Sequence, residues 1–230
     1  MKPDCSVYIL SFYPHLNEKE VKQFPLLDKK HSVELYSALM LNHREILRSL
    51  NPAPAFFFCC DERDTGYIPE QMSREKIIFY PPAENNSVPH ILIEKYLSSG
   101  SISLILNSNI IGIKSPDIKK IFDILGVEDE VIVIGRSKKE RAAFIGLNFY
   151  NPEVFKGIEW DKSNFDSVLA KACMFNNKIS ILDDFMLINS VEDFKDLYSE
   201  LSKKESTAYC SQSVHERFTN LFIEYKDLLK

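Results

Sequence analysis

The chain has no Cys-x-x-Cys pair, no glycine-rich phosphate-binding signature, and no apolar run approaching the roughly 20 residues of a membrane-spanning helix. Five cysteines, Cys5, Cys59, Cys60, Cys173 and Cys210, make an odd and scattered set. They exclude a disulfide framework and read as reduced thiols. Cys59-Cys60 closes the apolar run from Ala55 to Phe58, where a thiol packs as a small hydrophobe rather than as a redox or metal group. Neither G-x-G-x-x-G nor G-x-x-x-x-G-K-[ST] occurs, which disfavours dinucleotide and P-loop chemistry. Without G-x-S-x-G there is no nucleophile elbow, and His15, His31, His90 and His215 stand without partners at a recognisable spacing. Positive charge is not in excess either: the net charge of -5 argues against a general nucleic-acid binder, because phosphate affinity needs a Lys/Arg surplus. The apolar stretch Val7 to Leu10 is too short for a signal peptide. The expectation is a cytoplasmic protein with no membrane and no nucleic-acid partner.

What is present is an ordinary globular composition, 45% hydrophobic and 27% charged over 230 residues, long enough to bury about 70% of the unfolded chain's surface. Periodicity predicts strands at Ser6 to Phe12, Ala55 to Cys60, Lys76 to Tyr80, Ile102 to Leu106, Glu130 to Ile134, Ala142 to Phe149 and Lys178 to Leu182. Helices are predicted at Val33 to Leu50, Ile91 to Leu97, Ser115 to Leu125, about Ser163 to Phe175 and Val191 to Lys203, with a last amphipathic helix carrying Val214, Phe218, Leu221, Phe222 and Tyr225. Ser115-Pro116-Asp117 supplies a cap residue and a first-turn proline. His43 falls on the apolar stripe of the first helix, as a satisfied core or boundary histidine. Strands with continuous apolar runs, alternating with helices, predict an α/β three-layer sandwich around a mixed, mostly parallel sheet. Residues 1–204 form its main domain and 205–230 a C-terminal helix that packs on the domain or on a partner, as in a homodimer.

One feature of charge stands out. The turn between the strands at Glu130 and Ala142 reads Arg136-Ser137-Lys138-Lys139-Glu140-Arg141, four basic residues in six. At the rim of a pocket such a turn attracts anions; on an ordinary surface it is a solvated hairpin. Asp61, Glu62 and Asp64 form an acidic group at a predicted strand end, either a ligand position or the polar loop that any strand end needs.

Several phrases carry a resemblance. Asn151-Pro152-Glu153-Val154-Phe155-Lys156-Gly157-Ile158-Glu159-Trp160 is similar to "PELFxGIxW", and Gly135 with Phe144-Ile145-Gly146-Leu147 resembles the two ends of "GPAEDGGYYLIGL". Asn107-Ser108-Asn109-Ile110-Ile111-Gly112-Ile113 resembles "GSDCPGL", Leu187 to Phe194 resembles "DVDTPEDL", and Asn17 to Pro25 resembles "PGxVKTRL" with Lys22 matching. These are phrases of a small bacterial glycosyltransferase-A-like family of nucleotide-diphosphosugar transferases, once labelled a domain of unknown function. The resemblance spans roughly Ser6 to Lys203.

Framework residues match and site residues do not. Asn109 stands at an aspartate position, Leu187 and Asn189 at two more, Lys138-Lys139 at an acidic pair and Glu140-Arg141 at paired glycines. The resemblance implies a site where carboxylates hold a divalent cation against a sugar-nucleotide diphosphate. Amides and lysines cannot hold a hard cation, so no metal cofactor and no metal-dependent transfer are expected. Two readings follow. The chain is a non-catalytic binding or interaction module, or it is a metal-independent transferase whose basic loop neutralises the diphosphate. Lys22, Asn107, Asn109, Arg136, Lys138, Lys139, Trp160 and Asn189 are the candidate substrate-binding residues, for a nucleotide-sugar or another phosphate-containing small molecule. Arg141 joins them in the basic-loop reading, while Trp160 either packs its phrase on the sheet or stacks on a ligand ring. A third class, a structural partner protein acting through its final helix, stays open.

Overall fold

The computed structural model describes residues 5–10, 27–68, 70–72, 74–80, 101–154, 164–175, 177–203, 206 and 210–229. Among these residues eight strands form a sheet: β1 (Cys5–Leu10), β2 (Ala55–Asp61), β3 (Ile77–Tyr80), β4 (Ile102–Asn107), β5 (Ile110–Ile111), β6 (Val131–Ser137), β7 (Ala142–Leu147) and β8 (Lys178–Leu187). Their order is β3-β2-β1-β4-β7-β6-β8-β5. β1 pairs in parallel with β2 and β4, β2 with β3, and β6 with β8, while β7 is antiparallel to both β4 and β6. β1, β2, β4, β6 and β8 therefore all end on one edge, the edge where open α/β sheets place ligands.

Both faces are covered. Val7, Ile9, Ile102, Leu104, Leu106, Val131 and Val133 face one core, shared with helices α1 (Lys29–Arg48), α2 (Ser115–Val127), α4 (Val191–Leu201) and α5 (Gln212–Glu224). Tyr8, Leu10, Ile105, Ile132 and Ile134 face the other, shared with helix α3 (Phe165–Ala172). Every residue of β4 is buried, which is why its apolar run is continuous rather than alternating. The α/β sandwich expected from periodicity is the observed fold. No helix among the described residues is long and apolar enough to cross a membrane.

Local chemistry sets the helix starts. Asp28 accepts from the His31 backbone N–H at 2.8 Å, which starts α1 earlier than the predicted Val33. Asn164 does the same for α3 through Ser167 N–H, and Ser190 for α4 through Asp193 N–H. At α2 the cap falls on Lys114, not Ser115, and Asp117 Oδ2 accepts the Lys114 N–H at 2.8 Å. The last helix belongs to this core: Val214, Phe218 and Leu221 are buried in it, Phe222 packs on Phe194, and the Tyr225 hydroxyl accepts the Asp28 N–H at 3.1 Å. The predicted helix at Ile91 to Leu97 lies outside the described residues.

Two strands run past their predicted ends. β6 continues beyond Ile134 to Ser137, with an irregularity after Gly135. β8 continues beyond Leu182 to Leu187, because Asp183-Asp184 is a bulge rather than a terminus; Asp184 takes φ +74°, a left-handed conformation that strains a residue with a Cβ by about 1–2 kcal/mol. Consecutive acidic residues read as a stop, and only the pairing with β6 shows that the strand resumes.

Gly135 lies directly beneath the Phe144 ring: a Cβ there would sit 2.3 Å from Phe144 Cε1. The ring in turn packs edge-on against Phe185 at 5.0 Å. Gly135→Ala is expected to destabilise the fold by about 2 kcal/mol through overpacking, with Phe144→Leu in the same chain restoring most of the loss in urea unfolding. Phe218→Ala should cost about 4 kcal/mol by opening a cavity between α5 and the core, read in the same experiment.

His43 is fully enclosed, and its Nε2 donates to the Ser108 carbonyl at 3.0 Å. Burial pushes its pKa down to about 4, only partly offset by that hydrogen bond. The neutral ring is bound in the fold, while the unfolded chain takes up a proton below about pH 6.5. Stability should therefore be complete above pH 6.5 and fall as the pH drops toward 4, by about 3 kcal/mol in all. Denaturant unfolding at pH 7 and pH 5 checks the slope, and His43→Gln, which keeps a donor for Ser108, should flatten it.

Candidate functional site

The edge where the parallel strands end carries the short turn after β4. Asn107 Oδ1 accepts the Asn109 N–H at 2.9 Å, closing the turn locally. Ser108 N–H reaches back to the Leu10 carbonyl at 2.9 Å, and Ser108 carbonyl receives His43. The turn is thus tied to β1 on one side and to α1 on the other. Asn107 and Asn109 are both buried.

After the turn the chain forms β5, whose Ile110 and Ile111 pair with Leu187 and Met186 of β8. The Ile188 N–H donates to the Asn109 carbonyl at 3.0 Å. This pairing brings together two side chains eighty positions apart in sequence: Asn109 Nδ2 donates to Asn189 Oδ1 at 2.8 Å. Ser108 Oγ approaches Asn109 Oδ1 at 3.3 Å. Two of the positions where the resemblance implies carboxylates thus face one another, and each is an amide. Ionised carboxylates at that separation would need a cation or a shared proton between them. Two amides satisfy one another with no ion.

Asn189 also leads into α4. Asp193 Oδ2 accepts the N–H groups of Asn189 and Ser190 at 2.9 and 2.8 Å, and Asp193 Oδ1 meets Lys139 Nζ at 2.5 Å. Asp196 Oδ2 lies 3.5 Å from the same ammonium. Burial works to lower the Lys139 pKa, yet the hydrogen bond and charge of Asp193, with Asp196 behind it, outweigh burial and the net shift is upward. Lys139 stays charged and stays attached to α4.

Arg136 is held in the same way. Its Nε donates to Asp183 Oδ1 at 2.6 Å, Glu140 lies 3.7 Å from its Nη1, and the guanidinium rests 5.2 Å from the centre of the Phe165 ring. Asp183, first by its hydrogen bond and then by its charge, raises the Arg136 pKa further. The turn itself is fixed by its backbone: Lys138 N–H donates to Phe185 carbonyl at 2.9 Å, Phe165 N–H to Glu140 carbonyl at 2.8 Å, and Arg141 bridges to Asn164. Glu140 sits at φ +55°, where the resemblance places glycine. Lys138 is exposed, and no carboxylate among the described residues lies within ion-pair distance of its ammonium.

The structure therefore gathers Asn107, Asn109, Asn189, Arg136, Lys138 and Lys139 along one edge of the sheet. Lys22 and Trp160 lie outside the described residues. Asp61 closes β2 and Glu62 opens a short 3-10 helix, Glu62–Tyr67. Asp183, Asp193 and Asp196, the partners of the basic turn, were not among the candidates. One signal for them was in the chain: Ser190-x-x-Asp193 is a capping box, which aims the Asp193 carboxylate at the start of α4.

No protein-family model matches the chain, and no curated protein matches it in sequence. Among solved structures it is similar to a candidate nucleotide-diphospho-sugar transferase from Desulfovibrio desulfuricans G20, at 16% identity and TM-score 0.75 over 99% of this chain and 97% of that one. A cytidylyltransferase from Leptospira borgpetersenii aligns at 10% identity and TM-score 0.54, covering 100% of this chain and 97% of that one. The 4-diphosphocytidyl-2C-methyl-D-erythritol synthase of Anaerococcus prevotii aligns at 9% identity and TM-score 0.55, covering 88% of this chain and all of that one. The fold is that of the nucleotide-diphospho-sugar transferases and the cytidylyltransferases.

Proposed function

We propose that this chain is a divergent glycosyltransferase-A-like protein that keeps the fold as a non-catalytic binding or interaction module. Its partner would be a nucleotide-sugar or another phosphate-containing small molecule, taken up without a divalent cation. The observation that carries this reading is the hydrogen bond between Asn109 and Asn189, an uncharged pair where metal-dependent transfer would call for carboxylates. The basic turn supports it as well. A metal-independent transferase would direct Arg136 and Lys139 at a diphosphate, but each is already matched by two carboxylates of the chain itself.

A thermal-shift series with nucleoside diphosphates, UDP-, GDP-, CDP- and ADP-sugars and inorganic phosphate tests this directly. Binding to the native state raises stability by about 2.7 kcal/mol at 100 times the dissociation constant. Any shift should be the same with and without Mn²⁺, and no nucleoside diphosphate or pyrophosphate should be released on incubation. A shift that requires Mn²⁺, or release of either product, would overturn the reading.

The double variant Asn109→Asp with Asn189→Asp supplies the missing charge. Near-contact like charges repel by about 4 kcal/mol at an effective dielectric of 20. In chelator at pH 7.5 this variant should melt well below the native chain, and Mn²⁺ should restore part of the loss. A variant that melts like the native chain in chelator would show that the two side chains do not face one another.

A further inference from the structure

A groove runs along α4, between that helix and the bulged half of β8. Its upper part, about 220 Å³, is lined by Asn189, Ser190 and Asp193; its lower part, about 300 Å³, by Ile111, Met186, Leu197 and Leu201. The lower part alone has room for about ten water volumes, the size of a small metabolite. Lys138 lies on the wall of both parts.

The charges along the lower part sort themselves by whether they are already satisfied. Asp183 is held by Arg136, Glu200 by Lys203 at 2.7 Å, and Asp117 by the Lys114 N–H. Two groups remain. Lys138 has its backbone anchored to Phe185, while its ammonium has no carboxylate among the described residues. Asp184 is exposed, with no hydrogen bond or ion pair from its carboxylate to another described residue.

Asp184 faces this groove only because of the bulge. In a regular strand Asp183 and Asp184 would point to opposite faces, but the register shift against β6 and the left-handed Asp184 turn both onto the same wall. Strain held at a position whose side chain has no partner inside the fold is the pattern of a ligand contact. An unmatched cation and an unmatched anion flank an apolar floor. We propose that this groove binds a small zwitterion, with its phosphate or carboxylate on Lys138 and its ammonium on Asp184.

The inference does not depend on the amide pair, since Lys138, Asp184 and the apolar floor all line the lower part, which neither Asn109 nor Asn189 reaches. Calorimetric titration of the full chain with phosphoethanolamine, β-alanine, inorganic phosphate and ethanolamine tests it. At least one of the first two should bind about tenfold more tightly than either half-molecule, and which of them does so identifies the anion. Lys138→Met should lose that binding by about tenfold or more. Asp184→Asn, which tolerates the left-handed backbone, should bring the zwitterion down to the affinity of the anion alone and leave phosphate unaffected. Unchanged melting temperatures in both variants keep the comparison within folded protein. No saturable binding of either zwitterion at millimolar concentration, or equal binding by native chain and Lys138→Met, would overturn the proposal, and the result would leave the tests of the amide pair untouched.

Discussion

The bulge at Asp183-Asp184 is the constraint on which the site depends. Before it, β8 runs in parallel beside β6; after it, the strand is redirected so that Met186 and Leu187 pair with β5, which follows β4 by only two residues. One strand thus stitches the edge of the sheet back to its middle. Without that redirection Asn189 could not reach Asn109, and α4 would not start beside the basic turn. The neighbouring irregularity in β6 follows the same logic, with Gly135 leaving space for Phe144, and Phe144 packing on Phe185 immediately beyond the bulge.

Charge in this region is organised by pairing rather than by accumulation. Four basic residues in six make a strongly positive turn on paper, yet Arg136 and Lys139 are each matched by two carboxylates, all but Glu140 from other elements. These ion pairs are partly exposed, and such pairs contribute little net stability. Their effect is positional. Lys139 links the turn to the first turn of α4 through Asp193, whose other oxygen already caps that helix, so turn, cap and Asn189 form one connected unit. Lys138, exposed and outside these pairs, carries positive charge toward solvent.

Much of the fold was legible from residues alone. Continuous apolar runs at Ala55 to Cys60 and Ile102 to Leu106 gave buried parallel strands, and the three-and-four spacing from Tyr36 to Leu50 gave α1, because burial on two faces or on one stripe leaves a direct trace in the pattern. His43 was readable as a core histidine for the same reason. Less legible was anything set by long-range pairing. β5 is two residues long and carries no periodic signal, and Asp183-Asp184 reads as a strand end until its partner strand is known. The candidate residues Asn107, Asn109, Asn189 and Lys139 were named from resemblance, and nothing in their spacing says that two of them touch.

Residue pattern alone gives most of the strands and helices, the burial of both sheet faces, and the absence of carboxylates from the positions where the resemblance implies them. Those are local properties, written in hydrophobic period and residue type. That Asn109 meets Asn189, that Lys139 belongs to Asp193 and Arg136 to Asp183, and that Lys138 and Asp184 face one groove follows from long-range packing. Whether a charge is matched depends on which distant segment the backbone pairing brings within a few ångströms of it, and that is fixed by strand register and a single strained residue rather than by neighbouring positions in the chain.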